Sequence, residues 1–217
     1  MGACPNSMGA CPNWQSPDPG RDVMAPRGVA IPDLRARLFD AAERVLARDG
    51  AAALTSRAIT EEAGCAKGVL HHRFAGLDAF VAELVLDRYA RIAALAEGLP
   101  GRAGTGEPVE HLSAVAAAVL SLDPGVVGLA LTRPEASRRI RDAWQSGAPG
   151  FGAIQASITA YLHEERRRGR LADSLDVDSV GLALVGTLHH LLMTGWGGAP
   201  DPREQVDRLI RALVGTV

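Results

Sequence analysis

The sequence predicts an all-α protein, with an N-terminal three-helix helix-turn-helix unit joined by a long helix to a larger helical unit. Three observations carry this. Apolar residues recur at three- and four-residue spacing in one segment after another. No segment shows the strict alternation of a half-buried strand. Ala, Leu, Arg and Val dominate, which favours helix over sheet.

The elements follow in order. Residues 1–30 begin with "MGACPN", repeated at 8–13, and are rich in Pro and Gly with little to bury. They are expected to be a disordered arm. The repeat sets Cys4 and Cys11 seven apart with no further ligand nearby. A duplicated start, with Met8 or Met24 as alternative first residues, explains it better than a metal site. From Pro32, "PDLRARLFDAAERVLARDG" places Leu34, Leu38, Ala41, Ala42, Val45 and Leu46 on one stripe and ends at Gly50. Proline suits a first helical turn and glycine a stop.

Thr55 or Ser56 can cap a short helix through about Ala63, with Ala58, Ile59 and Ala63 inward and Glu61 and Glu62 toward solvent. Gly64 allows a tight turn. A second short helix is predicted over 66–74, with Val69, Leu70 and Phe74 on its inner side. A long helix follows over 78–97, with the stripe Phe80, Leu84, Val85, Tyr89, Ile92 and Leu95. Residues 98–108 read as loop. Helical patterns resume at 108–122, 125–131, 134–146, 150–168 and 176–194. The turn "GWGGAPDP" at 195–202 precedes a last helix, 203–214. The expected organisation is an arm (1–30), a helix-turn-helix domain (31–77) and a larger helical domain (78–217).

Composition narrows the function. The net charge of −2 argues against a general polyanion binder, although a local basic surface still acts over a Debye length of ~8 Å. No run reaches the ~20 uninterrupted apolar residues of a membrane span. The start lacks the pattern of a secretory signal. Three cysteines do not suggest a disulfide framework. A soluble cytoplasmic protein is expected. No nucleophile–base pairing, phosphate loop or metal-ligand spacing points to an enzyme, a cofactor or a metal. The charged run "EERRRGR" (164–170) reads as a solvated helix end.

The chemistry-bearing stretch is "CAKGVLHHRF" (65–74), which holds Lys67, the only lysine of the chain. Two short helices joined by a glycine turn behind a support helix make a helix-turn-helix, whose second helix enters a major groove ~12 Å wide. Lys67, Gly68, His71, His72 and Arg73 would form the groove face, and residues 63–77 contain no Asp or Glu. Gly68 would allow close backbone approach. Thr55, Ser56 and Arg57 would hold a phosphate at the first short helix. A plain polar helical surface gives the same spacing, so spacing alone leaves both readings open.

The frame of "LTSRAI", "EEAG", "KGVLHHRF" and the apolar-led helix near "LDAF" resembles the DNA-binding domain of the tetracycline-repressor (TetR/AcrR) family over residues 34–84. The resemblance implies an all-helical homodimer that reads operator DNA and is released by a small effector bound in the C-terminal domain. Five positions depart from the family pattern. Thr60 stands where alanine is usual, Ala66 where serine caps the recognition helix, Val69 for threonine, His71 for tyrosine and Leu77 for lysine. Several of these usually touch phosphate. Over 21–97, ten Arg and Lys67 balance eleven Asp and Glu, which implies a shallow salt dependence of DNA binding. Arg21, Arg27, Arg35 and Arg37 would compensate as an arm reaching an adjacent groove.

The effector pocket is expected between the helices at 78–97, 108–122, 134–146 and 150–168. Tyr89, Trp144, Phe151, Gln155 and Tyr161 would line it, and the alanines of 114–118 would leave room. Few charges fall on predicted inner faces, so the effector is expected to be neutral and hydrophobic. Within the apolar run 188–193, one of His189 and His190 must point inward, most simply as a hydrogen-bonded core residue. His111 and His163 show no partner in the sequence. The helices at 150–168 and 176–194 are the expected dimer surface. Val180, Leu184, Leu188 and Leu191 would supply apolar area there, with Gly181, Ala183 and Gly186 allowing close approach; the same residues would equally fill a monomer core. The runner-up reading is a helical small-molecule-binding protein that keeps the fold and binds DNA weakly or not at all.

Overall fold

Asp33 opens the first helix, accepting the Ala36 N–H on its side chain at 3.1 Å, and from there the computed structural model is helical almost throughout. It describes residues 33–194 and 201–215. The N-terminal arm, Pro32 and most of the turn at 195–202 lie outside the described residues.

The helices are α1 (Leu34–Asp49), α2 (Ser56–Glu62), α3 (Val69–Arg73), α4 (Leu77–Glu97) and α5 (Pro108–Leu120). They continue as α6 (Pro124–Thr132), α7 (Pro134–Gln145), α8 (Phe151–Arg167), α9 (Val177–Thr194) and α10 (Pro202–Val214). Among the described residues there is no strand. Four helices start with proline, where the missing N–H costs nothing.

The long helix α4 spans about 30 Å and packs on both helical groups, so it is buried on more than one face. The predicted stripe is buried except Leu95, which is 48 % exposed. Val81, Ala82, Ala93 and Ala96 are buried beside it, because α4 has neighbours where a surface helix has water. One continuous apolar core runs from Leu38 in α1 to Val214 in α10.

Two polar features sit in that core. His111 Nδ1 lies 3.0 Å from the Tyr161 hydroxyl, so this histidine does have a partner. Burial, then the neighbouring Glu165, pushes the Tyr161 hydroxyl well above its ordinary pKa. Glu165 itself is fully buried, which corrects the reading of 164–170 as a solvated face. It pairs with Arg170 at 2.8 Å and accepts the Gly104 N–H at 3.2 Å, tying the segment between α4 and α5 to α8. A buried carboxylate survives only with such partners. His163 also has neighbours, Arg166 at 3.2 Å and Asp178 at 3.5 Å.

Among the described helices, α9 is long and apolar enough to cross a membrane, at mean hydropathy 1.2. Its apolar side, from Val180 to Leu192, packs into the bundle.

Candidate nucleic-acid interface and ligand cavity

The recognition unit is built on three phenylalanines. Phe39 of α1, Phe74 after α3 and Phe80 of α4 meet with ring centroids 4.9–6.0 Å apart, Phe74 edge-on to Phe80. All are buried, as is Leu70. Burying each ring stabilises the unit by about 1.5–3 kcal/mol, so α3 has one inward side and its other side is left to solvent. Lys67, Gly68, His71, His72 and Arg73 are all exposed there. The helix α3 begins at Val69, later than the predicted 66, with Gly68 as a cap that offers no side-chain acceptor. Alanine at 66 removes the oxygen that would have drawn the start forward.

Two arginines of the expected arm, Arg35 and Arg37, are instead part of the folded unit. Arg37 lies in α1 and donates to the Ala63 carbonyl at 2.6 Å, holding the turn in which Gly64 adopts φ +64°. Arg35 lies over the Phe39 ring at 4.9 Å and near Glu83 and Asp87, each at 3.5 Å. Both are occupied within the chain. Arg21 and Arg27 lie outside the described residues. A side chain reaching 26 residues ahead to a carbonyl leaves no local pattern, so Arg37 had no sequence signal.

Around α2 the sequence is used economically. Thr55 Oγ1 accepts the Ala58 N–H at 3.1 Å, confirming it as the cap. Arg57 pairs with Glu61 at 2.8 Å, an exposed pair one turn apart that would yield to a phosphate at little cost. Buried Thr60 satisfies its hydroxyl on the Ser56 and Arg57 carbonyls, both at 3.0 Å. Glu62, expected in solvent, is held between Arg44 at 2.7 Å and Arg48 at 2.8 Å and pins α2 to α1. Those two guanidinium groups hold its carboxyl below the usual range.

A cavity of about 330 Å³ opens between α4, α6, α7, α8 and α9. Three of the five predicted lining residues, Tyr89, Trp144 and Phe151, are in its wall. Tyr89 meets Trp144 at 5.6 Å and Phe151 at 5.0 Å, both edge-on, and Phe151 meets the His189 ring at 5.1 Å. Burial raises the Tyr89 hydroxyl pKa. The remaining wall is mostly aliphatic, with Ser137, Arg141 and His189 as polar members.

Several expectations need correction here. Tyr161 and Gln155 are not in this wall; Tyr161 faces α5 through His111. The helix α5 contributes nothing, and its alanines line a separate groove against α10. Neither His189 nor His190 is a core residue: both are exposed, His189 at the cavity and His190 3.3 Å from the Thr194 hydroxyl. Val180, Leu184, Leu188 and Leu191 are at most 9 % exposed and fill the chain's own core, so they are not free for a second copy. Gly181 serves the same packing, since an added Cβ would overlap the Thr159 hydroxyl of α8. The side of α9 that remains open carries Leu182, 60 % exposed, with Ala183, Gly186 and His190.

The sequence of residues 38–84 matches the family described as bacterial regulatory proteins, tetR family. That span runs from mid-α1 through the recognition unit into α4. Solved structures of similar fold include a transcriptional regulator from Rhodococcus sp. Rha1, with TM-score 0.63 and 20% identity over 85% of this chain and 99% of that one. Another is the TetR-family transcriptional regulator PfmR from Thermus thermophilus, with TM-score 0.56 and 16% identity over 83% of this chain and 98% of that one. SmeT, the repressor of a Stenotrophomonas maltophilia multidrug efflux pump, has TM-score 0.53 and 19% identity over 83% of this chain and 89% of that one. At these identities the likeness is one of fold. No curated protein sequence matches the chain.

Proposed function

We propose that the chain, whose residues 38–84 match the tetR family of bacterial regulatory proteins, is a DNA-binding transcriptional regulator of that family, and a repressor released from operator DNA by a small molecule held in the aromatic cavity. The observation that carries the DNA half is the exposed, acid-free face from Lys67 to Arg73, presented by a helix whose other side is fixed on three phenylalanines. Lys67 and Arg73 supply charge, His71 and His72 supply donors, and Gly68 gives clearance. Thr55, Ser56 and Arg57 flank that face as phosphate contacts. The domains assigned are 31–77 for DNA and 78–217 for effector and dimer, with the chain acting in the cytoplasm.

Release follows from the way α4 is held. Its first turn is paired to the α6–α7 junction through Asp78 and Arg133. Further along, Arg88 binds both Glu43 oxygens, at 2.8 and 2.7 Å, and Asp40 at 2.9 Å, clamping α4 to α1. A ligand that wedges α6 and α7 away from α4 therefore shifts the helix on which the recognition unit is built. It moves the equilibrium only as far as it prefers the shifted state.

A symmetric operator requires a symmetric protein, with half-sites about 34–36 Å apart or a multiple of that. The open sides of α8 and α9, where Ala156, Ala160, Leu182, Ala183 and Gly186 are exposed, are the proposed two-fold contact.

The test is a gel shift of the full chain with the DNA flanking its own gene, at low and physiological salt. A discrete complex is expected. Lys67→Ala is expected to weaken it by about tenfold, in line with ~1–3 kcal/mol for one specific contact, with helicity and oligomeric state unchanged. Unaltered affinity in that variant would show that the recognition face lies elsewhere. No complex even at low salt would leave the ligand-binding protein without DNA as the correct reading.

A further inference from the structure

We propose that the cavity takes an amphipathic organic anion, whose oxyanion is held by Arg141 while its apolar body packs against Tyr89, Trp144 and Phe151. The inference rests on reading the cavity as the effector site and replaces the expected neutral effector with a charged class.

Three arginines lie within α7, and the neighbouring acids are already shared out. Glu135 pairs with Arg138 at 2.8 Å and with Arg139 at 2.9 Å, and Asp142 takes Arg138 at 3.1 Å. Arg141 has no ion pair or hydrogen bond among the described residues, and it is the α7 arginine that lines the cavity. Among the described residues no Asp or Glu lines the cavity. This local excess of positive charge is not a background property, because the chain as a whole carries −2.

The rest of the wall supports a divided ligand. Tyr89, Trp144 and Phe151 make an edge-on aromatic corner, completed by Val85, Val127 and Ile140. The Ser137 hydroxyl donates to the Ala130 carbonyl at 2.8 Å. The exposed His189, its ring against Phe151, adds a second donor. A neutral hydrocarbon would use the corner and leave the guanidinium idle. A carboxylate, sulfonate or phosphate on an aromatic or long aliphatic body uses both, and the planar fork of Arg suits it bidentately. Arg141 is itself exposed, so solvent screens part of the pair, and the apolar wall beside it supplies the hydrophobic share of binding.

Two fluorescent probes separate the two parts of the proposal: 1-anilinonaphthalene-8-sulfonate, and N-phenyl-1-naphthylamine, which keeps the aromatic body and lacks the sulfonate. Both are titrated into the full chain and three variants, with helicity of each variant checked by circular dichroism. Arg141→Ala is expected to weaken the sulfonate probe by about five- to tenfold while leaving the neutral probe within about twofold. Arg141→Lys is expected to recover part of the loss. Trp144→Ala, a change at a partly exposed wall residue, is expected to weaken both probes alike. If Arg141→Ala affects both probes equally, or neither, the anion assignment is overturned while the cavity reading stands. If Trp144→Ala alters neither, the probes bind elsewhere, and both the cavity reading and this inference are overturned.

Discussion

At the residue scale, Gly68 separates the needs of the fold from the needs of a partner. Its φ is −77° and a Cβ added there meets nothing within 4 Å. Neither backbone conformation nor packing calls for glycine, in contrast to Gly64 in its left-handed turn. A groove wall pressed against the backbone would. Gly68→Ala is therefore expected to change stability by no more than about 0.5 kcal/mol while weakening operator binding several-fold. Equal affinity of variant and wild type in a gel shift, at unchanged Tm, would show that DNA does not approach at this point. The exposure of this face was legible in the sequence because His71, His72 and Arg73 share one short helix with an apolar side, and Lys67 and Gly68 lie in the turn just before it. Arg37 and Glu62 were not, since their roles depend on carbonyls and guanidinium groups that only the folded chain brings near.

At the element scale, the helices themselves were nearly all legible. Proline at four helix starts and a steady apolar period fixed α4 to α10 to within a few residues. The exception was α3, where propensity and the phenylalanine suggested a longer helix than a chain without a side-chain cap supports. What joins the elements was harder to read, and the Arg44–Glu62–Arg48 triad between α1 and α2 is an example. The folded protein holds the Glu62 carboxyl below its ordinary range, so its contribution is present above the unfolded carboxylate range and is lost as pH falls through the lower folded value. Glu62→Gln is expected to lower the denaturant midpoint at about pH 7, with the gap to wild type closing as the carboxyl is protonated in acid and shrinking in high salt. A gap that stays constant across that range would rule out an ionic origin.

At the scale of the whole molecule, α9 buries one face in the core and leaves the other open, and its sequence did not say which was which. Its residues are apolar on both sides, and only the position of α8, with Thr159 against Gly181, decides that Val180, Leu184, Leu188 and Leu191 turn inward. The two faces predict two kinds of damage. Leu188→Ala removes a fully buried side chain and is expected to cost about 2–5 kcal/mol in chemical denaturation. Leu182→Glu is expected to leave that stability nearly unchanged and to convert a dimer to a monomer in light scattering. A variant that stays dimeric would place the two-fold contact elsewhere. The cavity was half legible for a related reason: aromatic residues on separate helices could be named, but which of them converge depends on helix rotation, and Tyr161 turned to His111 instead. One further consequence comes from the sparing use of lysine. Apart from the terminal amine, Lys67 is the sole amine of the chain, and it stands exposed in the turn just before α3. If this face meets DNA as proposed, side-chain amine chemistry, whether a cell's acylation of lysine or a chemist's coupling to a bead, has this one target and is expected to weaken DNA binding while sparing the ligand cavity.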